Sequence, residues 1–111
     1  LVVRSDRRAK KDIDHDMSRY KDFFRALRPC AFRMRDGRSG RLHTGYIAQE
    51  VEAALGEAGL SNEDFAGLVV NSAADRTAFE YGLRYADFSA LHTYMIQQLE
   101  ERVSALERSR T

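Results

Sequence analysis

Apolar residues first recur at helical spacing between residues 17 and 27. Tyr20, Phe23, Phe24 and Leu27 fall three and four positions apart and share one face, which predicts a helix from Met17 to Leu27. Pro29 stops it, because the residue before a proline is pushed out of helical geometry. The period then changes to two. Cys30-Ala31-Phe32-Arg33-Met34-Arg35 alternates apolar and charged, as a half-buried strand does. Asp36-Gly37 is a strong turn signal, Ser39-Gly40 extends the loop, and Leu42 to Ile47 returns as the second strand of a hairpin. Helical spacing resumes from Ala48 to Leu55, with Val51 and Leu55 on one side and Gly56 and Gly59 ending the helix. Ser61-Asn62-Glu63-Asp64 has a capping pattern that opens a short helical turn. Leu68-Val69-Val70 reads as a strand, Asn71 to Arg76 as a polar loop, and Phe79-Glu80-Tyr81-Gly82-Leu83 as a further strand.

Asp87 is placed to cap a long helix from Phe88 to about Arg108. Its apolar positions are Phe88, Leu91, Met95, Ile96, Leu99, Val103 and Leu106. Up to Met95 the stripe suits a helix folded onto its own core. From Ile96 the spacing becomes 3-4-3, with Ile96 and Val103 at a and Leu99 and Leu106 at d of a heptad. That narrow seam predicts self-association through a coiled coil. Two heptads are marginal alone, so the globular part must add to the assembly. The expected fold class is α+β: a small, mainly helical globular domain with short β-hairpins and a long C-terminal helix.

Composition sharpens this reading. The 111 residues suit one domain, so a multidomain enzyme or a porin is not expected. No apolar run approaches the ~18 residues of a membrane span. Leu1-Val2-Val3 is followed at once by Arg4 and Asp6, so no targeting segment is expected; the short β-branched run reads as the end of an upstream strand. The single cysteine, Cys30, allows neither an internal disulfide nor a cysteine zinc cage, and is read as a small core residue. The net charge of +1 hides an asymmetry. Residues 1–41 hold 13 Lys/Arg against 6 Asp/Glu, and residues 42–111 hold 5 against 11. A basic half can mark a nucleic-acid footprint. Here acidic residues interleave with the basic ones, which favours pairing with the acidic half of the same chain or of a neighbouring subunit.

Few residues carry chemistry. His15, His43 and His92 have no ligand spacing among them, and Asp12, Asp14 and Asp16 lack the glycine and glutamate of a calcium loop, so no metal and no cofactor is expected. There is no phosphate loop and no nucleophile elbow. What remains is Ser5 and Lys10. A serine hydroxyl needs a base to take its proton. A lysine can be that base when burial and nearby cations, here Arg7, Arg8 and Lys11, disfavour its charged form. The five-residue spacing lets Lys10 fold back on Ser5 across one turn, for which Ser5 or Asp6 supplies a cap. Taken alone the pair is a weak signal, since Ser and Lys five apart recur by chance and read first as a cap and a solvated lysine.

Ser5-Asp6-Arg7-Arg8-Ala9-Lys10-Lys11-Asp12-Ile13 resembles the opening of the intramolecular chaperone domains at the C-termini of phage tailspikes, tail fibres and endosialidases. That family, which also occurs in myelin regulatory factors, opens with Ser-Asp-x-x-Leu-Lys-x-x-Ile. A Leu-x-Pro step follows, matched by Leu27-Arg28-Pro29, and then a strand ending in Asp-Gly, matched by Arg33-Met34-Arg35-Asp36-Gly37. The most specific block is His43-Thr44-Gly45-Tyr46-Ile47-Ala48-Gln49-Glu50-Val51-Glu52. Tyr85-Ala86-Asp87-Phe88 matches the family's step into its C-terminal coiled-coil helix. Ala9 stands where leucine is commoner and Tyr46 where phenylalanine is commoner.

The resemblance implies a parallel homotrimer that assists folding of a covalently attached upstream β-helical or stalk passenger and then releases itself by autoproteolysis. The cut would fall at the Arg4–Ser5 bond, with Ser5 as nucleophile and Lys10 as general base. Residues 1–4 would be the tail of the passenger, 5–111 the chaperone domain, and 88–108 its coiled-coil helix, with Ile96, Leu99, Val103 and Leu106 as the trimer seam. Asp6, His43, Gln49 and Glu50 would support the site; for Gln49 and Glu50, helix capping and trimer contacts stand beside that role. The setting implied is a phage tail or virion precursor assembled in the host cytoplasm, with no nucleic-acid or membrane partner. The alternative is a non-cleaving trimerisation cap of a tail fibre or surface protein.

Overall fold

The computed structural model describes residues 2–71 and 81–110. A 3₁₀ turn at Ser18–Tyr20 leads into helix α1 (Lys21–Ala26). Strand β1 (Cys30–Phe32) pairs antiparallel with β2 (His43–Gly45), in a register that sets Cys30 opposite Gly45 and Phe32 opposite His43. Helix α2 (Ala48–Glu57) follows. Strand β3 (Leu68–Val70) pairs antiparallel with β4 (Tyr81–Leu83), Leu68 opposite Leu83, and the chain closes with helix α3 (Ala86–Ser109). The expected α+β architecture of short hairpins and a long C-terminal helix is what forms.

Among the described residues the core is small, with three phenylalanines and six aliphatic residues. Phe23 of α1, Val51, Ala54 and Leu55 of α2, Phe65, Leu68, and Phe88, Leu91 and Met95 of α3 are buried together. The Phe65 ring lies 5.0 Å from Phe23 and meets Phe88 edge-on at 4.9 Å, a geometry that aromatic quadrupoles favour. One anchor ties the first turn to the far side of this core. Arg19 holds the Asp64 carboxylate at 2.8 Å, and the Tyr20 hydroxyl donates to the Asp64 carbonyl at 2.6 Å. Asp64 also accepts from the Ser61 backbone N–H at 2.9 Å.

Several elements differ from their sequence-based expectation. The first helix is shorter, because Asp16 accepts the Ser18 N–H and starts a 3₁₀ turn, and Leu27 is already extended two residues ahead of Pro29. The hairpin strands pair over three residues rather than six. Residues 33–44 are exposed on both faces, so their alternation finds nothing to bury against, and Met34 closes a turn with Gly37 instead. Gly56 lies inside α2; the chain leaves the helix at Gly59, whose φ of +72° suits glycine. Residues 61–64 form a turn rather than a helix, since Asp64 folds back on Ser61. Tyr85, not Asp87, is the N-cap of α3, and Asp87 sits in its first turn. Cys30, expected in the core, is half-buried on β1 and is not part of the core cluster, because the short β1–β2 hairpin contributes no buried side chain to it. The expected polar loop beyond Asn71 and the residues Phe79 and Glu80 lie outside the described residues.

α3 runs unbroken for 24 residues, about 36 Å, and only its first half packs on the domain. Beyond Met95, Ile96, Leu99, Val103 and Leu106 are 62%, 49%, 51% and 66% exposed. The projecting helix raises the radius of gyration to 17.4 Å, where a compact chain of this length has about 13 Å.

The Ser61 N–H, the main cause, and Arg19 together hold the Asp64 carboxyl below its ordinary 3.8. Its folded value is depressed, so its contribution is present above the unfolded value and lost as pH falls through the folded one. Asp64→Asn is expected to lower the melting temperature by a few degrees near neutral pH. The gap to wild type should close in melts taken from about pH 7 down to about pH 3.

Candidate active site

Asp6 shapes the segment that carries Ser5 and Lys10. Its carboxylate accepts the Arg8 N–H at 2.8 Å and caps the 3₁₀ turn Arg7–Ala9, while the Arg8 guanidinium grips the same carboxylate at 3.2 and 2.9 Å. That side-chain bond from Arg8 is the main reason the Asp6 carboxyl titrates below its ordinary range. The turn closes through Ala9 N–H to the Asp6 carbonyl and Lys10 N–H to the Arg7 carbonyl, at 2.9 and 3.1 Å. Lys10 then leaves the turn in extended geometry, and its Nζ donates to Ser5 Oγ at 2.8 Å. The two side chains thus stand in hydrogen-bond contact, within the reach over which a proton can pass. The turn is the one expected from sequence, and Asp6 supports it as a cap.

The surroundings are less expected. Residues 2–16 are exposed throughout, so Lys10 has water around it rather than the burial that a lysine base needs. His43, Gln49 and Glu50 do not join the pair; among the described residues no hydrogen bond or ion pair links them to Ser5 or Lys10. His43 stacks on Phe32 at 5.6 Å across the hairpin. Glu50 reaches Arg28 at 3.4 Å. Neither Gln49 nor Glu50 caps α2, because Ile47 occupies the cap position without a side-chain bond.

Within the block His43 to Glu52, Tyr46 and Gly45 have a structural task. Tyr46 stacks nearly parallel on Phe88 at 4.8 Å, and its hydroxyl shares a 3.2 Å hydrogen bond with His92 Nε2. The Tyr85 hydroxyl accepts the Tyr46 N–H at 3.3 Å. Burial first, then the neighbouring Tyr85 phenol, raise the Tyr46 phenol above its ordinary 10.0. Gly45 lets the Tyr85 ring lie against the backbone, for a Cβ there would meet its Oη and, at 2.9 Å, its Cζ. The block therefore bolts the β1–β2 hairpin to the first turns of α3. Tyr85 and His92 as its partners are invisible in sequence spacing, since they lie 39 and 46 residues from Tyr46.

Among the described residues no group of histidine, cysteine or carboxylate side chains could hold a metal, and no helix is long and apolar enough to cross a membrane. A family model described as chaperone of endosialidase, whose name is that of a peptidase family, matches residues 5–60, just over half of the chain. None of the curated proteins matches. Among solved structures, one titled as the crystal structure of a novel intramolecular chaperone superposes with a TM-score of 0.67 at 22% identity. The match covers 88% of this chain and 99% of that one. That likeness shows a shared fold.

Gly45→Ala is expected to destabilise the domain by about 1–3 kcal/mol through overpacking against Tyr85. Tyr85→Phe removes the nearest atom, so the double variant should lose less than the sum of the two singles. Urea unfolding of the four proteins checks this.

Proposed function

The chain belongs to the chaperone-of-endosialidase family, and on that premise we propose that it is a trimeric assembly chaperone that cuts itself from its upstream passenger at Arg4–Ser5. The observation that carries this reading is the 2.8 Å contact between Lys10 Nζ and Ser5 Oγ. The family match beginning at Ser5 supports it, because Ser5 becomes the new N-terminus. Val2 and Val3, 96% and 72% exposed, then belong to the passenger's tail.

The chemistry balances without a cofactor. Neutral Lys10 takes the Ser5 Oγ proton as Oγ attacks the Arg4 carbonyl carbon. The tetrahedral intermediate collapses with loss of the C–N bond, and the Lys10 proton passes to the departing Ser5 nitrogen. An Arg4–Ser5 ester remains, and water opens it to a carboxylate and a free hydroxyl. A neighbouring chain's bond can be cut by the same steps. Holding the reacting groups together supplies much of the acceleration.

Exposure of the pair makes the reaction conditional. In one isolated chain Lys10 is exposed to water. Packing of the 2–16 segment against other subunits would strip that water while Arg7, Arg8 and Lys11 disfavour a second charge nearby. The uncovered seam on α3 supplies the means of assembly. Three copies in parallel bury Ile96, Leu99, Val103 and Leu106 around one axis. Cleavage then reports that assembly is complete.

With a passenger attached, wild type should yield a fragment starting at Ser5, and Ser5→Ala should stay intact and trimeric. Lys10→Arg should assemble and fail to cleave, since guanidinium holds its proton far above neutral pH, while Lys11→Arg cleaves near normally. Wild-type cleavage should speed up with rising pH as more Lys10 becomes neutral. Gel half-lives and intact mass over a pH series decide it; normal cleavage in Ser5→Ala or Lys10→Arg leaves only a non-cleaving cap. Leu99→Asp should turn the trimer into monomers in sedimentation equilibrium, because three carboxylates would lose hydration near the axis.

A further inference from the structure

Two oppositely charged surfaces face solvent on this domain. The first is the arm between β1 and β2. Residues 33–44 are exposed without a break and carry Arg33, Arg35, Arg38 and Arg41 against the single Asp36. The arm is internally ordered: Arg33 Nε donates to the Gly40 carbonyl at 2.9 Å, and Gly37 N–H to the Met34 carbonyl at 3.3 Å. Arg35, Arg38 and Arg41 have no ion-pair partner among the described residues. Between them the arm displays Met34 and Leu42, 55% and 60% exposed.

The second surface is the outer face of α2 and the turn after it. Residues 42–71 contain five carboxylates, Glu50, Glu52, Glu57, Glu63 and Asp64, and no lysine or arginine. Glu50 and Asp64 are engaged by Arg28 and Arg19. Glu57 and Glu63 are exposed and have no ion-pair partner among the described residues. Ala53 and Gly56, also on the exposed side, leave room for a side chain to approach.

We propose that the arginine arm of one copy docks on the acidic α2 face of the next copy. The inference rests on the trimeric reading above and names the contact that sets the heads beside one another. Every copy carries one arm and one acidic face, so a head-to-tail contact around a threefold axis satisfies all three and closes. Within one chain the basic and acidic blocks meet through Arg28–Glu50 and Arg19–Asp64 among the described residues, and neither pair uses an arginine of the arm or Glu57 or Glu63, which leaves those for a neighbour. Met34 and Leu42 give the contact apolar area that charge pairing by itself lacks. A polyanion fits less well, because the acidic face of the same head repels it.

The test is charge reversal on the whole chain. Arg35→Glu with Arg38→Glu, and separately Glu57→Lys with Glu63→Lys, should each raise the concentration at which trimers dissociate by about tenfold in sedimentation equilibrium at about 50 mM salt. The wild-type advantage should shrink at about 0.5 M salt. The four-residue combined variant should regain wild-type assembly, because the pairs re-form with signs exchanged. Circular dichroism guards against unfolding, and all four residues lie on the surface. A wild type that is monomeric overturns the trimeric reading itself. A wild-type trimer that ignores the reversals, or a combined variant that fails to recover, overturns the docking alone. So does an arm reversal whose effect appears only as lost retention on DNA, or only when the passenger is attached.

Discussion

The fold depends on the packing of Phe88. Its ring lies between Tyr46, which follows β2, and Phe65, which precedes β3, and Phe65 in turn covers Phe23 of α1. Four separate stretches of chain thus meet through one column of rings. Among the described residues only nine apolar side chains are buried, and they form a single cluster, so the elements rest on this column. Short helices and three-residue strands have little stability of their own, so the aromatic contacts decide whether they exist.

So small a core can cover only part of the molecule. It reaches along α3 as far as Met95 and includes nothing from residues 2–16. What it leaves bare are the stretches that carry the proposed chemistry and the proposed assembly. A lysine in water is a poor base and a bare heptad seam a poor surface. In the proposed assembly further copies of the chain would meet each deficiency, which would link the timing of cleavage to the completion of the oligomer.

The sequence showed most where the contacts are local. Ser5 and Lys10 are five residues apart, and a single capped turn brings them together, so spacing was enough. The stripe on α3 and its change of character after Met95 follow from helical period alone. Strand lengths were overestimated because alternation in 30–35 and 42–47 reports a period and says nothing of what lies opposite. The packing role of Tyr46 within the His43–Glu52 block is not legible in sequence for a related reason. The block's importance was visible as a motif, but Tyr85 and His92, which explain that role, are distant in sequence and reach Tyr46 only through the fold. The Asp64 anchor escaped notice likewise, since a capping pattern and a long-range acceptor use the same residue types.

α3 is one continuous helix with a buried and an exposed apolar stripe, and the angle between the two is fixed by residue count. Phe88, Leu91 and Met95 point toward the domain, while Ile96, Leu99, Val103 and Leu106 form the other stripe. At about 100° per residue the two directions differ by roughly 70°. In the proposed trimer the helix would act as a crank, carrying each head to the side of the bundle axis and holding it at a set azimuth. One residue inserted between Met95 and Ile96 would preserve both stripes and swing every head by about 100°. The phase of this helix is in that sense a dimension of the machine, as definite as a bond length, and it determines which surfaces of adjacent heads can meet.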